Sequence, residues 1–257
     1  MNSERKAHLL AALKKNCRYD GRKPFDYREI TVEYGISRSA EGSARVKIGE
    51  TEVIAGIKLE TATPYPDRPN EGNLMVNAEL LPMSNPEFEP GPPGDQATEL
   101  ARVVDRSIRE SKSIDVKKLC ISPGENAWGV MIDVCSINDA GNLFDAAALA
   151  ALAALKDAKF PGLTKEGKAN YEERTKNKLP LKREPLEVTV LKVGDQFFVD
   201  PLSDEEKVVE ARLTVGVTEK DTVCALQKGG QSPLTLKDVD EMIKIAQKAA
   251  QKLRKAL

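Results

Sequence analysis

The residues in this chain best suited to chemistry are those able to handle phosphate. Asp139-Ala140-Gly141-Asn142-Leu143-Phe144-Asp145 is a turn signal followed by an alanine-rich apolar run, so a buried helix should open there. Free N–H groups and a partial positive charge at such a helix start suit an anion. Asn142 fits the cap position. Leu143 carries no charge, so an anion held there would need a cation from elsewhere. A second group lies between Asp95 and Ser113, where Leu100, Val103, Val104 and Ile108 form an apolar stripe. At about 100° per residue, Arg102, Arg106 and Arg109 fall in one narrow sector opposite that stripe. Three aligned guanidiniums can follow a phosphodiester backbone. The same pattern fits an ordinary solvated face, because Glu99–Arg102 and Asp105–Arg109 stand at helical pair spacings. A third group is the proline-rich loop from Thr61 to Gly72. In it Tyr65 can stack on a base and Arg68 can meet a phosphate, or the loop is simply stiffened by proline.

Other chemistries lack their residues. No phosphate-binding GxxxxGK[ST] loop, GxGxxG or HExxH occurs. The one histidine, His8, cannot complete a zinc site or a Ser-His-Asp arrangement. No metal and no cofactor is expected. Cys17, Cys120, Cys135 and Cys224 are scattered and read as reduced thiols of a cytoplasmic protein.

Composition agrees with a globular chain: 257 residues, 40% hydrophobic and 31% charged, with a formal net charge of −1. No global basic field draws the chain to nucleic acid, so any RNA contact must be local or shared with a partner. Arg5 and Lys6 lead into only a short apolar patch, unlike a secretory leader. The longest apolar run, Ala146 to Leu155, is about half a membrane span, so no membrane role is expected.

The elements that must position these residues can be read from periodicity. Ser3 is placed to cap a helix reaching about Lys15. An arm, Arg18 to Pro24, follows. Strand patterns surround Ile30 and Val32, then Ala44 to Ile48, which turns at Gly49-Glu50 into Val53 to Leu59 as a hairpin. Asn73 to Leu81 is a further strand candidate. Eight of the fifteen prolines lie between Pro64 and Pro93, so long loops flank that strand. After the arginine-bearing helix come strands at Leu119 to Ser122 and Trp128 to Ile137. The helix from Asn142 to about Lys159 is apolar nearly all round and should be deeply buried. Strands are expected again at Leu186 to Val193, Gln196 to Val199, Val208 to Val217 and Thr222 to Gln227. Thr235 should cap a last helix reaching about Ala256. Hairpins outnumber βαβ units, which argues for an α+β fold with mixed or antiparallel sheets in two lobes. The division expected is a helix and arm over 1–30, a first lobe over 31–162, a polar linker over 163–185 and a second lobe over 186–257.

Taken in order, Tyr19-Asp20-Gly21-Arg22, Gly42-Ser43-Ala44-Arg45-Val46, Glu99 to Arg106, Asp139-Ala140-Gly141 and Asp200 to Leu213 resemble the ribonuclease PH superfamily. Within it the chain is most similar to the non-catalytic ring subunits of the archaeal exosome, over nearly its whole length. The resemblance implies two ribonuclease PH-like lobes. It also implies a hexameric ring in which three such subunits alternate with three catalytic ribonuclease PH-like partners. Single-stranded RNA threads the channel and is cleaved 3′ to 5′ by phosphate, and RNA-binding cap proteins sit on one face. Active members follow Asp-Ala-Gly with a Ser-Arg pair that holds phosphate, where this chain reads Asn142-Leu143. They carry an aspartate where this chain has Arg212. A guanidinium stays charged near neutrality and cannot protonate a leaving 3′-oxygen. A non-catalytic chain is therefore expected, one that supports its partner's site and binds RNA through Arg102, Arg106 and Arg109, with Tyr65 and Arg68 near the channel entrance. Two alternatives are a phosphorolytic enzyme that takes its acid from Asp204 or Glu210, and a stand-alone RNA-binding module. Arg212 also fits a simple outward-facing strand residue.

Overall fold

The computed structural model describes residues 2–257. A helix, α1 (Asn2–Lys14), precedes the arm and four strands: β1 (Ile30–Tyr34), β2 (Gly42–Ile48), β3 (Thr51–Ala62) and β4 (Asn73–Leu80). Helix α2 (Asp95–Glu110) leads to β5 (Cys120–Ser122), β6 (Asn126–Asn138) and helix α3 (Leu143–Asp157). A hairpin, β7 (Lys159–Leu163) and β8 (Ala169–Lys178), connects to β9 (Leu186–Val193) and β10 (Gln196–Val199). The short α4 (Ser203–Glu206), β11 (Ala211–Val217), β12 (Val223–Gly229) and α5 (Leu236–Arg254) complete the chain.

Two sheets result. The first runs β1-β2-β3-β6-β4, with β5 also on β6, and is antiparallel except that β4 runs parallel to β6. The expected hairpin is present, with Ile48 opposite Thr51 across Gly49-Glu50. The second sheet is β10-β9-β11-β12, all antiparallel. Helix α3 lies between the two lobes, against β2 and β3 on one side and β9 on the other. That explains its composition: every residue from Asp145 to Leu155 is buried, so no face can be polar. Helix α5 covers the far side of β9 and β11. With both faces covered, β9 is buried along nearly its whole length, as doubly covered strands are.

Several local expectations are corrected. Ser3 does not cap α1, since Asn2 is already helical. Leu9 and Leu13 of α1 pack on Leu191, Val193 and Phe198 of the second lobe. Helix α2 ends at Glu110, and Lys112 takes a left-handed φ of 55°, which stops the turn before Ser113. The segment 163–185 is not plain linker, because β8 pairs with β7 as a two-stranded ribbon. Its Glu, Arg and Lys residues are mostly exposed, so backbone pairing forms it without an apolar period. Val208 lies in the turn after α4, not in a strand. Thr235 does cap α5: its Oγ1 accepts from the Asp238 N–H at 3.2 Å, and its own N–H donates to Asp238 Oδ2 at 2.8 Å. That reciprocal arrangement closes two free helix-start donors.

Candidate functional site

The turn before α3 is held from the N-terminal arm. Asp200 is fully buried, at φ 50°. Its carboxylate accepts from Arg22 NH1 at 2.7 Å, Arg28 NH2 at 2.7 Å and Asn142 Nδ2 at 2.9 Å. Arg28 also donates to the carbonyls of Ala140 and Gly141, each at 2.9 Å. Arg18 is sealed beside Glu205, both side chains fully buried, and donates to the carbonyls of Val199 and Asp200. Three arginines thus bind the Val199–Pro201 segment and the start of α3 into one unit. Gly141 is obligatory there. At φ +92° a Cβ would stand 2.4 Å from the Pro201 carbonyl oxygen.

On this unit opens a cavity of about 400 Å³, lined among others by Glu99, Asn142, Leu143, Phe144, Glu206 and Arg212. The structure therefore brings together the three positions singled out for departing from phosphorolytic chemistry. Asn142 occupies the cap position at φ 67°, but its side chain makes no capping bond. It points to Asp200 and, at 3.3 Å, to Asp145, leaving its Oδ1 without a partner. The free N–H of Asn142 instead donates to Glu206 Oε1 at 2.9 Å. The anion seat at the helix start is filled by a carboxylate of the same chain. Glu206 has an exposed residue surface, yet its carboxyl is hemmed in, and desolvation raises its pKa to about 7, reinforced by Asp139 and opposed by Asn142, Arg212 and Arg28. The acidic run Asp204-Glu205-Glu206 was its only signal in the sequence. Asp204 pairs with Arg5 at 3.3 Å and Glu210 with Lys6 at 2.6 Å. Neither lines the cavity that holds Arg212.

Arg212 is not a plain outward residue. Its NH2 donates to Glu99 Oε2 at 2.7 Å, its guanidinium covers the Phe144 ring at 4.3 Å, and its NH1 is buried without a partner. Cation–π contact and a short ion pair hold it in a fixed pose. Behind the cavity two further acids are buried. Asp145 accepts from the Tyr27 hydroxyl and the Thr189 N–H, each at 2.7 Å, and burial raises its pKa to about 7. Glu187 on β9 finds no partner for either oxygen, and burial raises its pKa to about 8.

The arginines of α2 separate. Arg102 and Arg106 line a second cavity of about 330 Å³ with Gln227 of β12. Arg109 is drawn away: it pairs with Asp105 at 2.6 Å and donates to the Leu74 carbonyl. The hydrogen bond with Asp105 raises its pKa, and Tyr65 contributes from nearby. Of the two helical pairs expected, Asp105–Arg109 forms and Glu99–Arg102 does not, because Glu99 is held by Arg212. Tyr65 is 59% exposed, and Arg68, also exposed, meets only its neighbour Asp67 at 3.4 Å. The four cysteines are free. Among the described residues no cluster of His, Cys, Asp or Glu is arranged for a metal, and no helix is long and apolar enough to cross a membrane.

Comparison with known proteins decides the family. Residues 26–161 match domain 1 of the 3′ exoribonuclease family (RNase PH), and residues 184–249 match domain 2. The chain belongs to the 3′ exoribonuclease family. It is 45% identical over 230 residues to exosome complex component Rrp42 of Methanothermobacter thermautotrophicus, spanning 89% of this chain and 85% of that one. With Rrp42 of Sulfurisphaera tokodaii it shares 44% over 252 residues, spanning 97% and 91%. A chain of the Archaeoglobus fulgidus exosome with RNA bound to the active site superposes with a TM-score of 0.90 at 41% identity, covering 99% of this chain and 98% of that one. Rice Rrp46, at 18% identity and a TM-score of 0.70, shares the fold. The two 3′ exoribonuclease domains carry the two sheets described above, and the cavity with Arg212 lies between them.

Proposed function

We propose that this chain is a non-catalytic ring subunit of an exosome, supporting 3′-to-5′ RNA degradation by a catalytic ribonuclease PH-like partner. The observation that carries this reading is the Asn142 N–H bonded to the Glu206 carboxylate, with Arg212 fixed to Glu99. Phosphorolysis needs a seat for phosphate and a proton for the departing 3′-oxygen. Here the seat holds a carboxylate, and the acid's place holds a paired cation. Likeness over almost the full length to exosome components of archaea supports the ring assignment.

In this reading the chain alternates with its catalytic partner in a trimer of heterodimers, in the cytoplasm, with RNA-binding caps on one face. The near-neutral net charge suits it, since the basic path for single-stranded RNA is then assembled from two kinds of subunit. On this chain the path runs over Arg102 and Arg106, whose cavity is open, with Tyr65, Arg68 and Arg109 at its margin. The test is the pair Arg102→Glu with Arg106→Glu in the assembled ring. RNA phosphorolysis should fall about tenfold or more at low salt, because two phosphate contacts become repulsive, while the ring still elutes intact. Unchanged turnover and RNA affinity would make α2 a solvated face only.

A further inference from the structure

The cavity around Arg212 and the cavity around Arg106 are joined by an unbroken chain of hydrogen bonds. Arg212 NH2 donates to Glu99 Oε2 at 2.7 Å. The other oxygen of Glu99 accepts from Gln227 Nε2 at 3.3 Å. The carbonyl end of the same amide, Gln227 Oε1, accepts from Arg106 NH1 at 2.9 Å. Charges alternate along it: cation, anion, amide dipole, cation. The amide has only one sensible orientation here, with its NH2 toward the carboxylate and its oxygen toward the guanidinium. Such chains polarise one another and hold their members in one geometry. Arg106 NH1 also reaches the Leu226 carbonyl at 3.5 Å. No other donor of Arg106 makes a bond to protein among the described residues, which leaves Nε and NH2 open to an incoming phosphate.

We infer that Arg212 is a positioning residue for RNA: acting through Glu99 and Gln227, it holds Arg106 in the pose that meets the backbone. The step rests on the reading above that Arg106 touches RNA. Arg212 belongs to the second lobe and Arg106 to the first, so the chain also fixes α2 against β11 and β12. A long arginine side chain loses substantial rotamer freedom when it binds. Holding it in advance removes part of that cost.

The experiment uses the ring assembled with its catalytic partner. Arg212→Met and Gln227→Met each remove the polar link while keeping length. Each is made alone and together with Arg106→Ala, and RNA affinity and turnover are measured separately. Each single change should weaken RNA binding about three- to tenfold, the size of one ordinary hydrogen bond, with kcat at saturating RNA unchanged. In the Arg106→Ala background neither change should weaken it further. Equal losses in both backgrounds, or no loss in either, overturn the proposal, since residues with a merely structural role would act without Arg106. If Arg106→Ala itself leaves RNA affinity unaltered, the RNA reading of α2 fails first and the positioning role falls with it. Elution of each variant at the ring position guards against loss of fold. If Arg212→Met fails to assemble it is replaced by Arg212→Lys, for which the proposal requires affinity between wild type and Gln227→Met. If Gln227→Met fails, the two Arg212 variants carry the test, with Arg212→Lys required to lie between wild type and Arg212→Met.

Discussion

Replacing Glu187 with Gln should stabilise the protein at mildly alkaline pH and leave its stability unchanged in acid. Glu187 is 1% exposed and neither of its oxygens has a partner. It lies on β9 opposite Gly216, where a Cβ would stand 2.4 Å from Ser107 Oγ, so α2 is pressed close to the sheet and leaves little room for water. Burial raises its pKa from 4.5 to about 8, with Ser107 and Arg106 pulling it back and Asp145 pushing it further. The folded state therefore binds this proton more tightly than the unfolded state. The stabilising contribution of the protonated acid is complete below about pH 4.5 and is lost as pH rises through about 8. At about 1.4 kcal/mol per tenfold change in proton affinity, the loss is at most about 5 kcal/mol. An interior that relaxes around the charge reduces this to about 2–3 kcal/mol. Gln keeps the shape and cannot ionise. Urea unfolding of both proteins from about pH 4.5 to 8.5 should show curves that coincide in acid and diverge by that amount at the alkaline end. Asp145 and Glu206 also titrate high; Glu206 is common to both proteins and cancels in the difference, whereas the Asp145 repulsion is already part of the Glu187 shift and disappears with it. Parallel curves would refute the reasoning, because they would mean that the carboxyl reaches water or a cation.

Glu205→Ala should cost about 3–5 kcal/mol in thermal or urea unfolding, because it leaves Arg18 buried and unpaired. The double change Arg18→Met with Glu205→Met should cost less than that single change. Gly141→Ala should cost about 2 kcal/mol or more, seen as a lowered Tm, since it combines a left-handed backbone with a clash against Pro201. Leu143→Arg with Arg212→Asp should leave the isolated chain unable to release nucleoside diphosphates from single-stranded RNA and phosphate. The Glu206 carboxylate would still hold the Asn142 N–H, and robust turnover would overturn this.

Much of the architecture was legible locally. The hairpin at Gly49-Glu50, the all-round apolar α3 and the Thr235 cap each depend on residues within a few positions of one another. Side-chain period and turn chemistry report such neighbours directly. The ribbon β7–β8 was not legible, because β8 is mostly exposed and β7 has only a short apolar stretch around Phe160 and Pro161, so no period is left to read. The N-terminal arm showed only turn signals, which say nothing of its partners. Its arginines act on Asp200 and Glu205, more than 170 positions away.

The candidate site divides in the same way. That Leu143 and Arg212 are the wrong residue types for phosphorolysis is a matter of side-chain chemistry, and needs no coordinates. Which cation each carboxylate holds is another matter. Glu99 stands at the right spacing for Arg102 yet is taken by Arg212, Arg109 is withdrawn by Asp105, and Glu206 closes the helix start that a phosphate would have used. A chain of residues carries its local periods and its functional groups in its order. Distances between groups on different lobes arise only when the two sheets close on α3, and hydrogen bonds and ion pairs are won over a few ångströms.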